Sequence, residues 1–332
     1  MTRPSHSSVS RRTFLTVGVA TGVGALLSRP LHAGDPPPGS NGAPINNGPP
    51  QTSAPQASPR RIAKAIPSSG EWLPAIGIGT DSFATGVRAD IRAELARMSE
   101  LGATVIDTAA AYGDSEALIG EALESLGTRD RMFLATKLVG DGGSGPAGAE
   151  SFARSLERLR TRRVELLQVH NLRGVAEVLP RMQEWKKEGR IRYLGVTTSR
   201  GSQHAELADC MRTYRLDFIQ VDYSIANRAA AETILPLALE RGTAVLANLP
   251  FGRSSLFKEA AGRPLPAWAA DIDVASWAQY FLKYVISHPA VTCAIPGSTK
   301  LAHLEDNQGA AHGRLPDAAL RRRMEEYWDA RT

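Results

Sequence analysis

The chain has 332 residues, of which 42% are hydrophobic, 22% charged and 6% aromatic, ordinary proportions for a globular protein of one large domain or two small ones. Its formal charge of +5 invites a nucleic-acid reading, but Arg3, Arg11, Arg12 and Arg29 all fall in residues 1–33, which contain no Asp or Glu. Setting those four aside leaves 35 basic residues against 34 acidic ones, so the body carries no electrostatic footprint for nucleic acid.

Residues 1–33 combine an arginine pair, a moderately apolar run from Thr13 to Leu27 and a small-residue end at Leu31-His32-Ala33. The run is shorter than the about 17–25 apolar residues that span a bilayer. The segment resembles a twin-arginine signal peptide in Ser10, Arg11, Arg12, Phe14 and Leu15, with Thr16 where a Lys is common. That resemblance implies passage through the twin-arginine translocation machinery and a periplasmic or otherwise exported location. Residues 34–58, "GDPPPGSNGAPINNGPPQTSAPQAS", lack the apolar surface needed to order themselves and read as a flexible tether. Residues 59–332 then form one body of the usual size for an α/β barrel.

That body opens with "RRIAKAIPSSGEWLP", two extended runs around Ser68-Ser69-Gly70 that predict a β-hairpin plugging one end of the fold. Short apolar runs follow at 75–79, 104–108, 132–136, 165–170, 193–197, 218–222, 244–248 and 292–296. Helical patterns lie between them, such as "RADIRAELARMSELG" and "EVLPRMQEWKKEGR", whose Gly102 and Gly189 suit left-handed C-caps. Alternating β and α segments predict a parallel sheet with helical crossovers, and eight rounds favour a closed (β/α)8 TIM barrel over an open sheet. No G-x-G-x-x-G follows the first strand, which argues against a dinucleotide-binding doubly wound fold.

In such barrels the site lies where strands end and βα loops begin. Asp107 ends the second run, Lys137 follows the third, His170 ends the fourth and Tyr112 stands in the loop after the second. A phenol titrates near 10 and is by itself a poor acid toward a carbonyl. A neighbouring ammonium stabilises the phenolate, so Lys137 is expected to make Tyr112 a better acid, with Asp107 orienting Lys137. His170 is placed to donate to a carbonyl oxygen on which negative charge develops. No His, Cys or carboxylate set has metal-ligand spacing, so no metal is expected.

These residues sit in segments that resemble the aldo-keto reductase family over almost all of Arg60–Asn307. "GIGT" at 77–80, "DTAAAYGDSE" at 107–116, Lys137 after "FLAT" and His170-Asn171 after "LLQV" match its hallmarks in order and spacing. The resemblance implies reduction of aldehyde or ketone carbonyls to alcohols, with Asp107, Tyr112, Lys137 and His170 as catalytic tetrad. It implies NADP(H) as cofactor, with NAD(H) as the alternative. The cofactor residues it points to begin with Gly79, Thr80, Thr197, Thr198, Asn248, Pro250 and Gly252. Gln220 would meet the nicotinamide carboxamide, and Asn307 the adenine. Pro296, Gly297 and Ser298 belong to the strand end and helix start that hold phosphates, an arrangement suited to anions. Lys300 or His303 would reach a 2′-phosphate. Three positions depart from the common pattern: Thr197-Thr198 replaces Ser-Asn, Asn248 replaces a ring-stacking Tyr, and Gly297-Ser298 replaces Lys-Ser.

Cys210 and Cys293 read as small buried apolar residues. Glu116 reads as a first-turn helix acid without chemistry. The substrate wall is expected from loops 81–86, 140–148 and 251–268, where Phe251, Phe257 and Trp268 either line the pocket or pack the loop. A monomer is expected. The competing reading is an exported nucleotide-binding sensor of the same fold with little turnover.

Overall fold

The computed structural model describes residues 61–138 and 146–330. The twin-arginine-like segment, the 34–58 tether and most of loop 140–148 lie outside the described residues. The described chain opens with strands β1 (Ala63–Ala65) and β2 (Trp72–Pro74), an antiparallel pair turned at Gly70, whose φ of +76° favours glycine.

Eight parallel strands follow: β3 (Ile78–Gly79), β4 (Val105–Asp107), β5 (Phe133–Leu138), β6 (Val164–Val169), β7 (Ile191–Thr197), β8 (Phe218–Asp222), β9 (Ala244–Asn248) and β10 (Val291–Ala294). Each predicted apolar run overlaps one of them. Neighbours in sequence are neighbours in the sheet, and β10 returns to the first strand through bridges Ile76–Ala294 and Gly79–Gly297. The Gly79 N–H donates to the Pro296 carbonyl at 2.9 Å across this seam. A Cβ at Gly79 would stand 2.8 Å from the Ile295 carbonyl oxygen, so the seam closes this tightly because the residue has no side chain. Gly79→Ala is expected to cost about 1–3 kcal/mol through overpacking, seen as a lower urea midpoint at unchanged slope.

The α-helices of the described residues are α1 (Arg88–Glu100), α2 (Ser115–Leu126), α3 (Pro146–Arg158), α4 (Val175–Lys187), α5 (His204–Thr213), α6 (Ile234–Arg241), α7 (Ser255–Glu259), α8 (Trp277–Ile286), α9 (Leu301–Gly309) and α10 (Ala318–Asp329). Gly102 and Gly189 close α1 and α4 with φ of +74° each, as their sequence positions predict.

Side chains alternate along a strand. Phe133, Ala135 and Lys137 therefore share a face of β5, Tyr193, Gly195 and Thr197 a face of β7, and Phe218, Gln220 and Asp222 a face of β8. Phe133, Tyr193 and Phe218 belong to the buried interior cluster, together with Val105, Ala244 and hairpin residues Ile66 and Leu73. The inward face is thus apolar at the strands' N-terminal ends, where the hairpin plugs it, and polar at the C-terminal rim. Cys293 lies in this interior and Cys210 packs on α5, both buried and unbonded to one another. Trp268 packs beside Tyr280 and Tyr327 with ring centroids 6.0 and 6.2 Å away, so it fills the outer layer.

Candidate active site

Three neighbouring strands deliver the titratable groups. Asp107 is the last residue of β4 and His170 directly follows β6. Lys137 lies inside β5, which runs one residue past it to Leu138, where the sequence suggests a residue following the strand. Its ammonium donates to Asp107 Oδ2 at 2.6 Å and to the Thr108 carbonyl at 2.9 Å, with the pair almost fully enclosed at 1% and 2% exposure. Gln168 donates to the other carboxylate oxygen at 3.3 Å. Burial opposes the charge on Lys137, but Asp107 and Tyr112 outweigh it and hold its pKa above the usual lysine value.

The Lys137 ammonium also stands 4.7 Å from the centre of the Tyr112 ring. Its charge and hydrogen bonding draw the phenol pKa down, as expected, but burial is the larger effect and leaves the phenol above its ordinary value. Tyr112 is therefore a fully protonated donor with the charge that stabilises its phenolate already in place. The His170 ring meets Tyr112 edge-on, with centroids 6.0 Å apart. Burial first, then Lys137 and Arg173, pushes its pKa down to about 4, so the imidazole is neutral at physiological pH.

The Tyr112 loop is tied down on both sides. Thr80 Oγ1 donates to the Asp107 carbonyl at 3.0 Å, and Ser115 Oγ lies 2.8 Å from Thr80 Oγ1 and 3.0 Å from Thr108 Oγ1. Thr80 is fully buried, so its hydroxyl serves this network. Glu116 is a first-turn acid of α2, as its position predicts, and it is buried: Thr136 donates to it at 2.6 Å, and Arg158 donates through Nε and NH2 at 2.8 and 2.6 Å. This clamp joins the start of α2 to β5 and α3.

A cleft of about 850 Å³ opens over the rim. Fourteen of the residues singled out in the sequence line it: Asp107, Tyr112, His170, Gly79, Thr80, Thr197, Thr198, Gln220, Asn248, Pro250, Gly297, Ser298, Lys300 and His303. Lys137 lies beneath Tyr112. Pro296 serves the barrel seam, Asn307 is buried in α9, and Gly252, at φ +54°, makes the turn between two lining residues, Phe251 and Arg253. Phe251 thus lines the cleft, while Phe257 packs behind it at 4.8 Å.

Two amides in the lining carry buried atoms with no hydrogen-bond partner among the described residues, Gln220 Nε2 and Asn248 Oδ1. Asn248 spends its nitrogen on the Thr198 carbonyl at 3.1 Å, which leaves its buried oxygen as an acceptor without a donor among the described residues. Together they offer one donor and one acceptor, the complement of a primary carboxamide.

Sequence reading missed Arg200 and Arg253, which join Lys300 as lining cations. None of the three forms an ion pair among the described residues, whereas Asp107 is neutralised by Lys137. Both arginines lie just past predicted strand ends, which is the signal that marks them. Four residues of the lining, Asn171, Leu249, Arg253 and Ser254, hold positive φ between +50° and +70° without being glycine, so backbone strain concentrates at this rim.

The low pKa of His170 has a consequence for stability. His288, buried beside Arg321 and Lys64, is also pushed down to about 4. Unfolded imidazoles titrate near 6.5, so the unfolded chain takes up these protons first as pH falls. Stability is expected to drop from about pH 6.5 to about pH 4, and His170→Asn with His288→Asn should flatten that slope in urea titrations. An unchanged slope in the double variant would contradict the burial assigned to these rings.

The model of the Aldo/keto reductase family matches residues 75–326, and the chain belongs to that family. Methylglyoxal reductase YeaE of Escherichia coli (strain K12) is 32% identical over 270 residues, covering 77% of this chain and 92% of that protein. The crystal structure of an aldo/keto reductase from Klebsiella pneumoniae in complex with NADP and acetate superposes with a TM-score of 0.68 at 25% identity, over 78% of this chain and 93% of that one. A Klebsiella pneumoniae aldo-keto reductase in complex with NADPH gives 0.67 at 26% identity, over 80% and 95%.

Proposed function

We propose that the chain is an NADP(H)-dependent reductase of aldehyde or ketone carbonyls, acting from the periplasm or another exported location. The observation that carries the chemistry is the buried Lys137–Asp107 pair set against the Tyr112 ring, beside a neutral His170, at the floor of a cationic cleft.

The lining fits the cofactor. Gln220 Nε2 and Asn248 Oδ1 supply the donor and acceptor that a nicotinamide carboxamide requires, and Arg200, Arg253 and Lys300 supply unpaired positive charge for phosphates. When bound, NADP(H) supplies the hydride. Tyr112 binds the substrate carbonyl oxygen and passes its phenolic proton to it as negative charge develops there. Lys137 stabilises the phenolate left behind, and Asp107 keeps Lys137 charged and aimed. The neutral His170 ring donates a hydrogen bond to the same oxygen without competing for the proton. A screen of NADPH oxidation over aldehydes, ketones and quinones tests this reading. Turnover of carbonyl substrates that disappears in Tyr112→Phe supports it, and tight nucleotide binding with no turnover on the whole panel favours a sensor.

Export rests on the twin-arginine-like segment at Ser10–Leu15. That route carries folded proteins, so the nucleotide is loaded in the cytoplasm and stays bound afterwards. The exported protein, purified and denatured, should release about one nucleotide per chain, a stoichiometry that follows from one site. An empty exported protein would overturn the loading scheme.

A further inference from the structure

Behind the cleft-lining Ser298 lies a carboxyl that the chemistry above does not use. Glu94 on α1 is fully buried, and its Oε2 has no hydrogen-bond partner among the described residues. No Lys, Arg or His pairs with it there. Its Oε1 lies 2.7 Å from Oγ of Ser298, a cleft-lining residue of the loop between β10 and α9. Ser298 Oγ also stands 3.0 Å from the Lys300 carbonyl and accepts from the Lys300 N–H at 3.1 Å.

A hydroxyl has one proton and two lone pairs. The Lys300 carbonyl already accepts from the His303 and Leu304 N–H groups at 2.9 and 3.0 Å, so it does not require the single Ser298 proton. The Glu94 carboxyl, by contrast, is fully buried with no cation and no donor to Oε2 among the described residues, an environment that favours the neutral acid, which donates its own proton to Ser298. An ionised Glu94 would instead take the Ser298 proton in a charge-assisted bond and leave only lone pairs toward the cleft. With the acid neutral, Glu94 and the Lys300 N–H fill both lone pairs. The Ser298 proton is then free to turn from the Lys300 carbonyl to an anion. Burial raises the Glu94 pKa and Asp90 adds to it, against the Ser298 hydrogen bond, in keeping with that protonation state.

We propose that Glu94 is a positioning residue of the phosphate subsite: as a neutral acid it makes Ser298 a hydrogen-bond donor toward a nucleotide phosphate held beside Lys300 and His303. The proposal rests on the nucleotide lying in this cleft with its phosphates at the β10–α9 loop. Ionising Glu94 reverses the Ser298 hydroxyl and puts a negative charge beneath the anion, so binding weakens as pH rises through the Glu94 titration. Asp90 on the same helix acts on Glu94, and the titratable groups of the elements packed against α1 include Lys300 and His303, Glu305 of α9 paired with Arg97, and Glu121 of α2 paired with Arg88. All are common to the wild type and to Glu94→Gln, whose amide donates to Ser298 at every pH.

The test is equilibrium binding of NADP+ and of NAD+ to the full chain by calorimetry, from mildly acidic to mildly alkaline pH. Wild-type affinity should fall with pH, while Glu94→Gln should match the low-pH wild type within about twofold and lose the Glu94 part of the slope. Glu94→Leu and Ser298→Ala should each bind about tenfold more weakly, and the double variant no more weakly than either, because they act through one hydrogen bond. Losses confined to NADP+ would place the anion as the 2′-phosphate, and losses with both nucleotides as the pyrophosphate. Equal slopes in wild type and Glu94→Gln, or normal binding by Ser298→Ala, would overturn the proposal even if Glu94→Leu failed to fold. No nucleotide binding by the wild type would instead overturn the cofactor reading beneath it.

Discussion

Tyr112→Phe is expected to lower kcat for carbonyl reduction by about 10²–10⁴-fold, the usual contribution of a positioned proton donor, while nucleotide affinity changes by about twofold at most. The substitution removes one oxygen and leaves the ring that Lys137 and His170 contact at 4.7 and 6.0 Å. Lys137 keeps both of its other acceptors, Asp107 Oδ2 and the Thr108 carbonyl, so no buried charge is stranded. The loss therefore falls on chemistry. Stopped-flow single turnovers would separate it from product release. Near-normal turnover in the variant would remove Tyr112 from the role of acid.

The second large effect is on the Lys137–Asp107 pair, where stability and catalysis can be separated. Lys137→Met leaves the Asp107 carboxylate buried beside a single 3.3 Å hydrogen bond from Gln168, and removing one partner of a buried pair costs about 3–5 kcal/mol. Pairing it with Asp107→Leu replaces two buried charges by apolar groups and should recover most of that loss, since such replacements are often neutral. Activity should not recover, because the phenolate formed at Tyr112 would then have no cation beside it. Urea denaturation and steady-state kinetics on the three proteins check both halves. Recovery of activity with stability would mean that the pair serves the fold alone.

Much of the barrel was legible because its strands obey a simple rule, apolar runs bounded by glycine and polar loops. The runs at 218–222 and 244–248 coincide with β8 and β9 residue for residue. Lys137 shows where the rule fails. A lysine reads as leaving the sheet unless its counter-charge is known, and Asp107 is thirty residues away in sequence but 2.6 Å away in space. Glu116 stands in the first turn of α2 as its sequence position predicts, but its partners Thr136 and Arg158 come from β5 and α3 and could not be read locally. Thr80 lines the cleft where the resemblance places it, and the bond from its hydroxyl to the Asp107 carbonyl is a further partner that no local pattern announces. The cleft's cations were harder still. Arg200 and Arg253 gain meaning only when separate loops fold over one rim, and no local pattern reports that convergence. Trp268 is the converse case, a large aromatic in a promising loop that packs against Tyr280 and Tyr327.

The central claim is that a hydride reaches a carbonyl carbon while Tyr112 protonates its oxygen. Label transfer measures that most directly: the purified chain is incubated with NADPH carrying deuterium at the transferable C4 position and with an aldehyde or ketone that supports turnover. The account predicts deuterium on the former carbonyl carbon of the alcohol, in step with nucleotide oxidation and suppressed in Tyr112→Phe. Bound nucleotide that passes no label to any aldehyde or ketone would contradict it.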